Sequence, residues 1–237
     1  CYARSCLRFV LSHCDLKCYR IVESQEKVAT MKIVDSLDEQ SLLEELIDNT
    51  KPKSGDRHYL IQTPFRYPPL KHGSRFGSRF EPSIFYAGLT LNSALCESAF
   101  YSFYFLSRML KPFEGVIMNH KTSFPVAIQS AYCMDLTADK SLSDKQDYAN
   151  SQKMGKAMRE QAVSVFTYRS ARCDDALNIG VFDIDAIVSE KPTAMIEWEI
   201  KQTSNKILFF CSSSPDKSVE FSIETFLVNG ELPVPSV

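Results

Sequence analysis

Residues 81–110, EPSIFYAGLTLNSALCESAFYSFYFLSRML, decide the fold class. EPSIFYAG reads as a strand, because Ile84, Phe85 and Tyr86 are good strand formers bounded by Pro82 and Gly88. TLNSALCESAFYSFYFLSRML then runs without Gly or Pro and reads as a long, very apolar helix. Upstream, SLDEQSLLEELIDNT predicts another helix over 36–50, with Ser36 and Glu39 at capping-box spacing and Leu42, Leu43, Leu46 and Ile47 on one face. HYLIQTPF (58–65) reads as a short strand entering a proline-containing loop. Downstream, GVIMNHKTSFPVAIQ (115–129) reads as two strands and SQKMGKAMREQA (151–162) as a helix. Beyond residue 162 come strand-like runs: VSVFTY, LNIGVF, AMIEWEI, KILFFC and SVEFSIETFLV. Helices and strands mix without regular βαβα alternation, which predicts an α+β fold in one mixed domain. The expected division is an N-terminal extension (1–35), a folded unit (36–228) and a frayed tail (229–237).

Composition narrows the chemistry. The chain has 237 residues but only 8 glycines, about half the usual share of ~7%. It contains no GxGxxG, GxxxxGK[ST] or GxSxG, so any nucleotide is bound without those loops. A balance of 27 basic against 29 acidic residues lacks the footprint of a nucleic-acid binder. No apolar run approaches the ~18 residues of a membrane span. The opening LRFVL run is too short for a signal peptide, so residue 1 is expected to be a processing edge.

Four of the eight cysteines crowd the N-terminus. Cys1, Cys6, Cys14 and Cys18, with His13, invite a zinc site, although their x4, x7 and x3 spacings include no CxxC pair. Reduced thiols in a cytoplasmic protein, with no metal, are the expectation.

Two segments carry candidate chemistry. In GSRFGSRFEPSIFYAGLTLNSALCESAF (73–100), Arg75 and Arg79 precede the strand bearing Tyr86, and Glu97 follows in the helix. Its helical neighbours are Ser93, Ala94, Phe100 and Tyr101. A carboxylate in such company is paired with a cation, or has a task, or else lies on an exposed helix face. In SVFTYRSARCDDALNIGVFD (164–183), Ser170 follows Tyr168 and sits between Arg169 and Arg172. A serine at a strand end is usually a turn or cap residue. The four histidines are scattered, so a Ser-His or Cys-His hydrolase has no support.

In order and spacing these segments resemble the RES-domain family, named for an Arg, a Glu and a Ser. The likeness extends through RIVESQEKVATMKIVDSLDEQSLLEELI, HYLIQTPFRYPPLKHGSRFGSRFEPSIFYAG, ALCESAFY and QKMGKAMREQAVSVFTYRSAR, and looks like the longer form of the family. The family Arg maps onto Arg75, or onto Arg79 because SRF repeats; its Glu maps onto Glu97 and its Ser onto Ser170. The resemblance implies a fold similar to ADP-ribosyltransferases and a toxin that cleaves the nicotinamide–ribose bond of NAD, with water or phosphate as acceptor. NAD is then substrate, with no prosthetic group. Arg75, Glu97 and Ser170 would be catalytic, and Arg75, Arg79, Tyr86, Tyr168 and Arg172 would hold the dinucleotide. Ser170 would orient the nicotinamide ribose or carboxamide. The implied partner is an Xre-type antitoxin that makes the DNA contacts, in a bacterial cytoplasm, with homo-oligomers possible in the family. The alternatives are a protein ADP-ribosyltransferase on the same fold and a non-catalytic zinc-containing binding module.

Overall fold

A computed structural model describes residues 9–24, 57–66, 73–111, 115–214 and 216–234. In chain order it contains β1 (Ser12–Glu23), α1 (Tyr59–Arg66), β2 (Phe85–Gly88), α2 (Leu91–Ser107) and β3 (Ile117–Asp135). There follow α3 (Ala149–Glu160), β4 (Val165–Arg169), β5 (Leu177–Val181), β6 (Ile196–Gln202), β7 (Lys206–Cys211) and β8 (Ser218–Ser222). The strands form one eight-stranded sheet in the order β1-β2-β5-β4-β3-β6-β7-β8. Only β3–β4 is parallel, so the sheet is mixed and the α+β reading holds. A further β1–β3 ladder closes β1-β2-β5-β4-β3 on itself, while β6-β7-β8 continue from β3.

Four expectations change. The stretch set aside as an N-terminal extension contains β1, which pairs β3 from Glu23↔Lys121 to Ser12↔Cys133. It is part of the sheet. HYLIQTPF is helical rather than extended, because its apolar residues 60, 61, 64 and 65 recur at three and four, not two. Residues 117–135 form one strand, not two, despite Pro125. Ala127 donates its N–H to Ser189 Oγ, away from β1. Pro125, two residues earlier, faces the same side, where its missing N–H breaks no ladder bond. The tail is not frayed over its described part: Val228 and Glu231 exchange backbone bonds at 2.8 and 3.1 Å, and Leu232 packs on the core. The helix expected over 36–50 lies outside the described residues.

Apolar burial divides into three clusters. One fills the closed ring around Phe85, Phe124, Ile128 and Val181. A second lies between α2 and β6–β8, where Phe100, Phe103, Trp198, Phe209 and Phe226 meet. The third joins α3 to the loop before β2, through Phe76, Met158, Phe166 and Tyr168. Each fully buried aromatic or aliphatic side chain contributes about 1.5–3 kcal/mol. Phe100 and Phe103 are buried, but Tyr101 is 41% and Phe105 66% exposed, because α2 shows its outer face to solvent.

The expectation of reduced thiols throughout is corrected as well: Cys14 and Cys133 form a disulfide across the β1–β3 ladder. Cys18, Cys96, Cys173 and Cys211 are free. Zinc finds no cradle among the described residues. Cys14 and Cys18 stand four positions apart on a strand, about 13 Å at strand rise, and His13 points to the opposite face. Cys18 donates to Val126 O inside the core. Cys1 and Cys6 lie outside the described residues.

Candidate active site

Glu97 is placed by the start of α2. Thr90 caps the helix by accepting from the Ser93 N–H at 3.1 Å. Gly88 precedes it closely, since a Cβ there would stand 2.6 Å from Ala94 N, so β2 delivers the chain straight into the helix. Ser93 and Glu97, one turn apart, both face Asn178 on β5. Asn178 is buried; its Nδ2 donates to Glu97 Oε1 at 2.7 Å, and its Oδ1 accepts from Ser93 Oγ at 2.5 Å.

Ser170 reaches the same carboxylate oxygen. Its hydroxyl donates to Glu97 Oε1 at 2.6 Å. It also accepts from the Arg172 and Cys173 N–H groups, each at 3.0 Å, and so caps the turn after β4. Glu97 is half-buried and forms no ion pair among the described residues. It is satisfied by neutral donors on Oε1, and Oε2 accepts no hydrogen bond within the described chain. Among the described residues Glu97 therefore neither lies on a fully exposed helix face nor pairs with a cation.

Arg75 belongs to the loop before β2, which α3 and the 3₁₀ turn at Lys140–Ser143 hold in place, and Tyr86 reaches that loop from β2. The Tyr86 hydroxyl meets Ser74 Oγ at 3.0 Å and accepts from the Phe76 N–H at 3.1 Å, bracketing Arg75. Arg75 donates to the Leu142 and Asp144 carbonyls at 3.3 and 2.7 Å, and its guanidinium lies 4.3 Å from the centre of the Tyr148 ring. Tyr148 in turn accepts from Arg172 Nη2 at 3.3 Å. Arg172 is buried at 4% exposure, stacks 3.6 Å from the Phe100 ring centre, and its Nη1 has no hydrogen-bond partner among the described residues. A buried guanidinium nitrogen without an acceptor is costly, and an anionic ligand would satisfy it. Tyr168 packs edge-on to Tyr86 at 6.5 Å. The Tyr101 hydroxyl lies within electrostatic reach of Tyr148, Glu97 and Arg172.

Arg75, Tyr86, Glu97, Tyr168, Ser170 and Arg172 are therefore joined through direct contacts and shared neighbours. Arg79 stands apart, exposed and stacked 4.5 Å from the ring centre of the equally exposed Phe80. Tyr148 and Asn178 escaped the reading of the sequence. Tyr148 sits in a polar stretch, and Asn178 within an ordinary strand pattern, so neither carries a local signal.

Burial pushes the Tyr86 phenol up to about 12, with the bonds to Ser74 and Phe76 opposing. Tyr168 is pushed well above its ordinary value, first by burial and then by Glu97 and Tyr86. Both phenols ionise more readily in the unfolded chain, so the stability they contribute is complete below pH 10 and lost as pH rises towards the folded values. The melting temperature is expected to fall between pH 10 and about 12, as tyrosinate absorbance rises. A flat profile across that window in a thermal scan would refute this.

No curated protein matches the chain. A profile of the RES domain matches residues 52–201, from just before α1 to within β6, and includes every site residue named above. With more than half of its length so matched, this chain belongs to the RES-domain family.

Proposed function

We propose that this protein is a RES-type toxin that cleaves the nicotinamide–ribose bond of NAD, by hydrolysis or phosphorolysis. The observation that carries the reading is Glu97: one carboxylate oxygen held by two neutral donors, the other accepting no hydrogen bond among the described residues, beside tyrosines and two arginines. As nicotinamide departs with both electrons of the C1′–N bond, the ribose takes oxocarbenium character. The unengaged Oε2 of Glu97 stabilises that cation, and its orientation is set before the reaction. An oxygen of water or phosphate then forms the new bond to C1′, and its proton passes to solvent. Arg75 is the family arginine on this reading. With Arg172 it supplies permanently charged donors for the pyrophosphate, and Tyr86, Tyr148 and Tyr168 supply aromatic faces.

The fold reading that accompanies this function is an ADP-ribosyltransferase-like arrangement, which needs no glycine-rich loop. An Xre-type antitoxin and a bacterial cytoplasmic setting complete it. Incubation with NAD, with and without phosphate, and mass spectrometry of the products tests the reading. Nicotinamide with ADP-ribose is expected from hydrolysis, and nicotinamide with phosphorylated ADP-ribose from phosphorolysis. Absence of nicotinamide overturns it. Label carried from NAD onto a protein band would replace the small acceptor by a protein. Arg75→Ala is expected to weaken NAD binding at least tenfold, and Arg79→Ala less than twofold; calorimetry distinguishes them.

A further inference from the structure

A serine hydroxyl has one proton to give and two lone pairs to offer. In Ser170 all three are committed: the lone pairs to the Arg172 and Cys173 N–H groups, the proton to Glu97 Oε1. Nothing remains for a ligand. Asn178 presents the complementary arrangement from β5, one carboxamide spanning a turn of α2 between Ser93 and Glu97. A carboxylate accepts only, so Nδ2 must face Glu97, and Oδ1 must then take the Ser93 proton. Both donors converge on Oε1 from elements far apart in sequence, Ser170 at a separation of 73 and Asn178 at 81.

We infer that Ser170 and Asn178 are positioning residues that act through Glu97, and that neither binds substrate. Together they fix the rotation of the carboxylate, turning Oε2 towards the reacting carbon. Ser170 also couples Glu97 to two backbone N–H dipoles at the turn that carries Arg172. The family serine therefore has a different task from orienting the nicotinamide ribose or carboxamide. Asn178 becomes its partner. This inference rests on the NAD-cleavage reading for its kinetic effects, but the pairing itself does not.

The test combines turnover, NAD affinity and stability. Ser170→Ala and Asn178→Ala are each expected to lower kcat 10- to 100-fold while the NAD dissociation constant stays within twofold. Ser170→Thr keeps the donor and is expected to recover kcat to within about threefold of the starting protein. Asn178→Asp keeps the shape and loses the donor, so it serves if the alanine variant does not fold, with the same loss of kcat expected. Tenfold weaker NAD binding in Ser170→Ala, or an unchanged kcat in both alanine variants, would overturn the inference. If the unmutated protein leaves NAD intact, the proposed function fails separately. The pairing is then read by thermal unfolding in the Glu97→Ala background. There, truncating Ser170 or Asn178 is expected to cost much less melting temperature than in the unmutated protein, and full additivity would overturn it.

Discussion

Glu97→Gln is expected to lower nicotinamide release by about 10³-fold while NAD still binds. Gln keeps the shape of Glu and an oxygen that can accept from Ser170 and Asn178, so the scaffold on both sides survives. What disappears is the negative charge on Oε2, which matters only when positive charge develops on the ribose. An interaction made in the transition state alone reduces kcat and kcat/KM together and leaves ground-state affinity alone. Single-turnover measurement of nicotinamide, with calorimetry of NAD binding, separates these quantities. Full release by Glu97→Gln or by Glu97→Ala would remove the carboxylate from the mechanism.

Gly155→Ala is expected to destabilise the protein and to disable the site, although it lies in a helix and touches no ligand. On propensity alone, alanine in place of a helical glycine gains about 1 kcal/mol. The contact decides otherwise. A Cβ at 155 would stand 1.9 Å from Phe76 O, a backbone atom that cannot swing aside. Either α3 or the 73–77 loop must move, at a cost of about 1–3 kcal/mol for overpacking of this kind. That loop carries Arg75 and is held by the Tyr86 hydroxyl, so its displacement carries the guanidinium away from Tyr148. A misplacement of about 1 Å can cost 10²-fold in rate. Urea unfolding and NAD turnover of Gly155→Ala read the two effects. A variant more stable than its parent and fully active would show that the helix had room.

The low glycine count has its sense here. Gly155 lets a helix press on a backbone, and Gly180 lies beneath the Phe166 ring, where a Cβ would come within 2.1 Å of it. These glycines serve close packing around the site; none belongs to a phosphate-binding loop.

Much of the fold was legible where the pattern was local. The apolar run over 90–110, free of Gly and Pro, and the strand-like runs after residue 162 predict α2 and β4 to β8 without tertiary information. HYLIQTPF failed because seven or eight residues can satisfy two periods, and burial against the sheet chose the helical one. The two-strand reading of 115–129 failed: Pro125 does not end the strand, because a proline does so only where its N–H is needed, and that depends on which neighbour lies alongside.

The sequence by itself determined the α+β class, the family, and the residues among which the chemistry must be sought, because order and spacing of Arg, Tyr, Glu and Ser survive in one dimension. Tertiary structure alone distinguishes Arg75 from Arg79, which the repeated SRF leaves equivalent: Tyr148 and the turn carbonyls hold Arg75, while Arg79 lies exposed against Phe80. Tertiary structure alone also brought Asn178 to Glu97 and filled every bond of Ser170, the geometry from which the positioning role proposed for both residues is argued. The physical reason is that periodicity records which face of an element is buried. Hydrogen-bond valence is spent between groups on separate elements, and a sequence carries no count of it.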